Sequence, residues 1–454
     1  MPYFTIIDDD YNRLYQTGIN INIRGVSNSV DVCDLEELAE NYSNGDNKYL
    51  RLVIFPHDTR KGKFILSDEY YIYDKKTITR FNLIINPDYV TTICEIGDIN
   101  MLNYLDSINN MGNFEKVNGF EFEHTFDRIS IQNNVKILEW WKNSGRSFIY
   151  SEYSMMYASI GNHINVLEWW KNSGLPLKYD NKAIDKLSYH NQNNNVKVLE
   201  WWKQSGLPLK YSEDALDIAS SEGNIEVLEW WFNSNLELKY SDQGLNIASS
   251  RHYINVLDLW KKSGLPLKYS EYALDSQSLS FCNDDNVDNV NVEVLEWWFN
   301  SGLELKYSEW SLDRASWYGF INILNWWKNS GLELKYSSEA MDQASENGHS
   351  DVLEWWFNSG LELKYSENAL NNLQFKQLVI NDHVRTFCDE EYRSKFDCVK
   401  FANVLCWWYN SGLPLKYNKE LCNIDNVNNY DLNLKIPEKF SIIREIWKKI
   451  LEKH

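Results

Sequence analysis

YSEDALDIASSEGNIEVLEWWFNSNLELKYS, residues 211–241, is the stretch that decides the fold. Ser212 stands where an N-cap hydroxyl accepts a hydrogen bond from the orphan N–H groups of a helix start. Tyr211 and Leu216 flank it at the positions of a hydrophobic staple. Leu216 and Ala219 share one face of this first helix, and the small Ala219 admits a close neighbour. Gly223-Asn224 breaks the chain and opens a second helix, in which Val227, Leu228, Trp230 and Trp231 form a broad apolar stripe. Sister stretches close as Lys171-Asn172-Ser173-Gly174, with a cation in the last turn and a glycine at C′. A short connector, Leu175-Pro176-Leu177-Lys178-Tyr179, then leads to the next Ser or Asp. The pattern predicts one helix–turn–helix–loop unit.

The unit recurs. Sixteen of the 20 tryptophans stand in adjacent pairs: Trp140-Trp141, Trp169-Trp170, Trp201-Trp202, Trp230-Trp231, Trp297-Trp298, Trp326-Trp327, Trp355-Trp356 and Trp407-Trp408. Leu259-Trp260 is a further copy. Counted from the second indole, the steps are 29, 32, 29, 29, 38, 29, 29 and 52 residues, a period of 29 with extra lengths of 3, 9 and 23. A weaker copy lies upstream at Gly97-Asp98-Ile99-Asn100-Met101-Leu102-Asn103-Tyr104-Leu105. Such self-similarity predicts a mainly α solenoid of about ten units, each burying its apolar face against its neighbours. The indoles, from Trp140 to Trp408 and including Trp260, are expected to form the inter-repeat core. A first-helix acid recurs at Asp127, Asp185, Asp217, Asp275, Asp313 and Asp342, with Asn246 and Asn371 in register. Packed helices lie ~8–10 Å apart, too far for neighbouring carboxylates to share one ion, so hydrogen bonds that lock unit to unit are expected instead.

These residues resemble the ankyrin repeat. Asp214-Ala215-Leu216-Asp217-Ile218-Ala219-Ser220-Ser221-Glu222-Gly223-Asn224 lies over that family's T-P-L-H-x-A-A-x-x-G-H, and Gly348-His349 keeps its Gly-His. Glu226-Val227-Leu228-Glu229-Trp230-Trp231-Phe232 lies over E-V-V-x-L-L-L. The Thr and His of T-P-L-H are absent, and the loop is four residues shorter than the family's. Only the junction from Asp106 to about Glu123 is long enough for the family's projecting finger. The Trp-Trp variant looks like the divergent ankyrin-like proteins of large DNA viruses, the mimivirus-type families, and of protists. The resemblance implies a non-catalytic protein-interaction scaffold, possible partners among host proteins, and binding on the first-helix face.

The chain is expected to hold three parts. Residues 1–88 carry β-rich runs, such as Tyr49-Leu50-Arg51-Leu52-Val53-Ile54-Phe55 and Phe81-Asn82-Leu83-Ile84-Ile85, and read as a strand-containing cap. Residues 89–417 are the array, and 418–454 a helical cap with Pro437 in its first turn. The extra residues near His190, Phe281–Asn289 and Gln374–Lys400 all fall between first and second helices, on one edge of the stack.

Charge and motifs narrow the function. With 45 Lys+Arg against 65 Asp+Glu the net charge is −20, which argues against a phosphate-backbone binder. The N-terminus has no basic-then-apolar signal pattern, no run approaches the ~20 apolar residues of a membrane span, and seven scattered cysteines suit a reducing interior. An intracellular monomer is the expectation. The eight histidines make no H-E-x-x-H, and no phosphate-binding glycine loop or G-x-S-x-G occurs, so no catalytic, cofactor or metal residue is assigned. His383, Cys388 and Cys398 are a weak zinc set. The alternatives to a binding scaffold are a ubiquitin-ligase receptor acting through an F-box-like C-terminal segment, a structural scaffold of a virus particle, and an enzyme hosted by residues 1–88. The residues assigned to partner binding are Glu213, Asp214, Trp310, Arg314, Trp317 and Tyr318. Trp310 and Trp317 depart from the repeat pattern where packing needs no indole, and aromatic residues beside Arg are typical of interface anchors.

Overall fold

The computed structural model describes residues 3–7, 17–21, 33–40, 49–54, 63–111, 125–146, 149–189, 195–279, 292–371 and 398–417. The long first junction, the three insertions with His383 and Cys388, and the C-terminal cap with its F-box-like segment fall outside these residues. The chain forms two compact units, Met1–Ala215 and Leu216–His454.

The first unit opens with a five-stranded antiparallel sheet. Its strands are β1 (Tyr3–Ile7), β2 (Gly18–Ile21), β3 (Tyr49–Ile54), β4 (Lys63–Leu66) and β5 (Tyr70–Tyr71), in the order β1-β3-β4-β2 with β5 also on β3. Register runs Tyr3↔Val53 to Ile7↔Tyr49 on one side of β3, and Gly18↔Leu66 to Ile21↔Lys63 between β4 and β2. Val53, Phe64 and Leu66 form its core. The segment 81–85 is not a strand. Phe81 ends a helix over Lys75–Phe81, closed by the left-handed Asn82, and Leu83 and Ile85 are buried while Ile84 is exposed. An extended linker lying on a core alternates with period two just as a strand does, so the sequence pattern does not separate them.

Repeat hairpins follow. Asn86 caps the first, its side chain accepting from the Tyr89 N–H at 2.9 Å with Pro87 at the helix start. The Tyr89 hydroxyl donates to the Ile72 carbonyl at 2.8 Å, tying the hairpin to the strand region. In this unit the helix pairs are Pro87–Ile96 with Ile99–Ser107, Thr125–Ile131 with Val135–Asn143, Tyr153–Ile160 with Ile164–Asn172, and Lys182–Asp185 with Asn195–Gln204. In the second unit the helix Asp214–Ser221, whose first residues lie before the division, pairs with Ile225–Asn233. Gln243–Ser250 with Ile254–Ser263, Tyr272–Asp275 with Glu293–Asn300, Trp310–Tyr318 with Ile321–Ser330, and Glu339–Glu346 with Ser350–Asn358 follow, and Cys398–Ser411 is the last second helix. Two first helices are short and end in 3-10 turns, Lys186–Ser188 and Ser276–Leu279. Both precede an insertion. Asn235, at φ 59°, closes its second helix where sister units use a glycine such as Gly174 at 74°.

The two indoles of a pair have different surroundings. The second is buried: Trp141, Trp170, Trp202, Trp231, Trp260, Trp298, Trp327, Trp356 and Trp408 are at most 1% exposed. The first, in all eight pairs, is half-buried. Adjacent helical residues project about 100° apart, so the two rings meet edge-on, with centroids 5.0–5.2 Å apart and planes at 78–88°.

Seven of the nine buried indoles donate their N–H to an acceptor one unit back. Within the first unit Trp170 donates to Ser130 and Trp202 to Ser159, at 3.1 and 2.9 Å. Within the second, Trp260 donates to Ser220, Trp298 to Ser249, Trp356 to Ser316 and Trp408 to Ser345, at 2.7–3.0 Å. Trp141 uses the Cys94 sulfur at 3.2 Å. The half-buried indoles reach side-chain oxygens of the preceding second helix, as in Trp169 to Glu139, Trp201 to Glu168, Trp326 to Glu296 and Trp407 to Glu354. A large apolar ring with one polar edge thereby buries its area and satisfies its donor together.

The first-helix acids clasp the next unit. Asp185 accepts the Ser212 N–H and hydroxyl at 3.0 and 2.6 Å, and Asp313 accepts those of Ser337 at 3.0 and 2.6 Å. Asp342 does the same to Ser366, and Asn246 replaces the acid while holding Ser270 by both amide atoms. The clasped serine also accepts from the N–H two residues on, as Ser212 does from Asp214 at 3.2 Å, so one hydroxyl starts its helix and joins two units. Connectors stack likewise. In seven connectors the tyrosine ring lies on a buried indole, and the lysine of the following connector sits over that ring and donates to the tyrosine's own carbonyl. Tyr307 with Trp327 and Lys335 is one such set, at 4.7 and 4.5 Å between centres and 3.0 Å for the hydrogen bond.

Candidate functional site

The second unit holds an open groove of about 970 Å³ where four successive connectors meet the starts of two first helices. Lys306, Lys335 and Lys364 line it, each fixed over a tyrosine by the stacking just described. Glu271, Glu309 and Glu333 line it too and are exposed.

Trp310 begins the helix Trp310–Tyr318 at the edge of this groove and is 53% exposed. Four residues on, the Arg314 guanidinium lies 4.3 Å from the Trp310 ring centre, the (i, i+4) spacing that puts both on one face. Trp317 and Tyr318 lie at the far end of the same helix, 44% and 40% exposed. They stack on each other at 5.9 Å, and Tyr318 stacks on Phe320 at 5.7 Å. They do not line the groove. Glu213 and Asp214 are exposed residues of the first unit and are not among those that line it. The structure thus brings Trp310 and Arg314 together at a cavity and sets Trp317 and Tyr318 as an aromatic patch at the other end of the same helix, while Glu213 and Asp214 do not line the cavity.

Sequence reasoning missed Tyr272. It lines the groove, is 42% exposed, and occupies in its own unit the position that Trp310 occupies in the next. The signal was the shared register of Ser270-Glu271-Tyr272 and Ser308-Glu309-Trp310. The helix–loop–helix spacing makes this a helical repeat protein.

Burial sets the electrostatics nearby. Asp313 is pushed up to about 6 by burial, with Glu309 and Glu339 adding to the rise against the Ser337 hydrogen bonds. Asp342 is also raised, chiefly by burial. Burial and Glu333 raise the Tyr307 phenol. These groups serve the clasps and stacks. Among the described residues no group of three or more His, Cys, Asp or Glu is placed to hold a metal ion, and no helix is long and apolar enough to cross a membrane.

No family model matches the sequence, and no curated protein matches it. Among solved structures the chain is similar to the crystal structure of the pentatricopeptide repeat protein PPR10 from maize, at 11% identity and a TM-score of 0.25. The match covers 82% of this chain and 63% of that one.

Proposed function

We propose that this protein is a non-catalytic protein-interaction scaffold built on divergent ankyrin-like repeats, with its partner docking around Trp310. The single observation that carries the reading is the exposed indole itself. Sister helices place exposed Asp214, Gln243 and Glu339 at that position, so packing does not call for a tryptophan there. An exposed Trp with Arg stacked on it and a second aromatic beside it has the composition of an interface anchor. The left-handed turn between the helices of a unit, at Gly223, Gly319 and Gly348, supports the ankyrin-like reading. So do connectors that hold no strand among the described residues, as a trimmed finger loop requires.

Trp310→Ala combined with Trp317→Ala, in the full chain, tests the proposal. Affinity capture with mass spectrometry should lose a reproducible set of proteins that the wild type retains. Unchanged capture of every partner by a variant with wild-type circular dichroism removes the reading.

A further inference from the structure

Arg314 differs from four other arginines of this acidic chain, while Arg80, like it, lies over rings, those of Tyr70 and Phe81. Arg51, Arg128, Arg146 and Arg251 each meet a carboxylate, from Glu69, Glu95, Asp106 and Glu222 respectively. Arg314 meets none among the described residues. Its Nη1 is shielded from solvent with no hydrogen-bond acceptor, while the Trp310 ring holds the guanidinium in place. The nearby buried acids are committed, Asp275 to Ser308 and Ser311, and Asp313 to Ser337. A guanidinium presents planar paired donors that match a carboxylate, and one already oriented and partly desolvated loses little on pairing. What Arg314 lacks among the described residues is a carboxylate partner.

We propose that the docked segment carries an Asp or Glu side chain that pairs with Arg314, while a neighbouring apolar side chain packs on Trp310 and Tyr272. This rests on the docking reading above and specifies its chemistry. The exposed Glu271, Glu309 and Glu333 repel a run of acids, so a single carboxylate among apolar residues fits and a polyacidic tract does not. The open form of the groove suits a segment passing through it, with the acid on a side chain rather than at a chain end.

A randomised dodecapeptide display library panned on the full-length protein is the probe. Peptides whose capture is lost with Trp310→Ala should share one Asp or Glu beside an aromatic or aliphatic residue. Changing that acid to its amide should weaken binding about 10- to 100-fold. The same change should alter binding to Arg314→Gln by less than about twofold, as expected when the partner group is already gone. Arg314→Lys, which keeps the charge and loses the paired donors, should fall between. Arg314→Glu, panned in parallel, should select Lys or Arg at that peptide position. Trp310-dependent peptides without an acid, or an amide change that weakens wild type and Arg314→Gln equally, overturn the carboxylate proposal and leave docking intact. If no selected peptide depends on Trp310, the docking reading itself fails.

Discussion

Removing one hydroxyl from the indole ladder tests how the repeats are joined. The Ser316 Oγ accepts the Trp356 N–H at 3.0 Å and donates to the Leu312 carbonyl at 2.8 Å, in a site where both side chains are at most 1% exposed. Ser316→Ala leaves the indole N–H without an acceptor and away from water, which costs about 1–3 kcal/mol. The Leu312 carbonyl loses only a secondary donor, and alanine's better helix propensity returns roughly 0.5 kcal/mol. The expected net loss is about 1–2 kcal/mol. Trp356→Phe deletes the donor along with part of the ring. If the hydrogen bond is the coupling, adding Ser316→Ala to that variant costs almost nothing further, giving an interaction energy of about 1–2 kcal/mol. Ser316→Cys should lie between, because the Trp141–Cys94 pair shows sulfur accepting at 3.2 Å. Repeat arrays do not always unfold in one step, so the assay is native-state hydrogen exchange across Trp310–Asn358, where 1.4 kcal/mol appears as a tenfold change in local opening. Ser316→Ala exchanging like wild type, or strictly additive single variants, refutes the ladder as a source of cohesion.

Three further outcomes follow from the same geometry. Asp313, near 6 when folded against 3.8 for the free group, binds its proton more tightly in the native state. Its contribution is therefore present below about 3.8 and lost as pH rises through 6. Measured against Asp313→Asn, which copies the Asn246 clasp, wild-type stability should fall by about 1–3 kcal/mol from pH 4 to 7, and a difference that is flat or rises with pH refutes the assignment. Asn235→Gly should stabilise its helix end by roughly 0.5–1 kcal/mol in thermal or urea melts, because φ 59° there suits glycine. Gly319→Ala should lose more than about 2 kcal/mol, since φ is +81° and a Cβ would stand 2.6 Å from His349 Nδ1. A variant as stable as wild type would show that the turn can relax.

Much of the fold was legible because its signals are local and repeated. The 29-residue step, the small first-helix residues and the closing glycines are set within one hairpin, and ten imperfect copies average out the noise in each. Two readings failed to resolve for physical reasons. The segment 81–85 carries a strand's alternation without a strand partner. The paired tryptophans are chemically identical in sequence, and only the direction in which each leaves its helix makes one core and the other half-exposed.

The candidate site was legible in part. Trp310, Trp317 and Arg314 stood out because they break the repeat pattern, whereas Tyr272 did not, because a tyrosine also stands at the same position of another unit, as Tyr153. By itself the sequence determined the unit, its period and which positions are apolar, since helix periodicity and capping depend on near neighbours. Tertiary structure alone decided that Ser316 receives an indole from 40 residues away, that Asp313 clasps Ser337, and that Trp310 and Tyr272 flank one groove. Those pairings arise when hairpins stack, and stacking fixes which polar atoms must find each other once water has left.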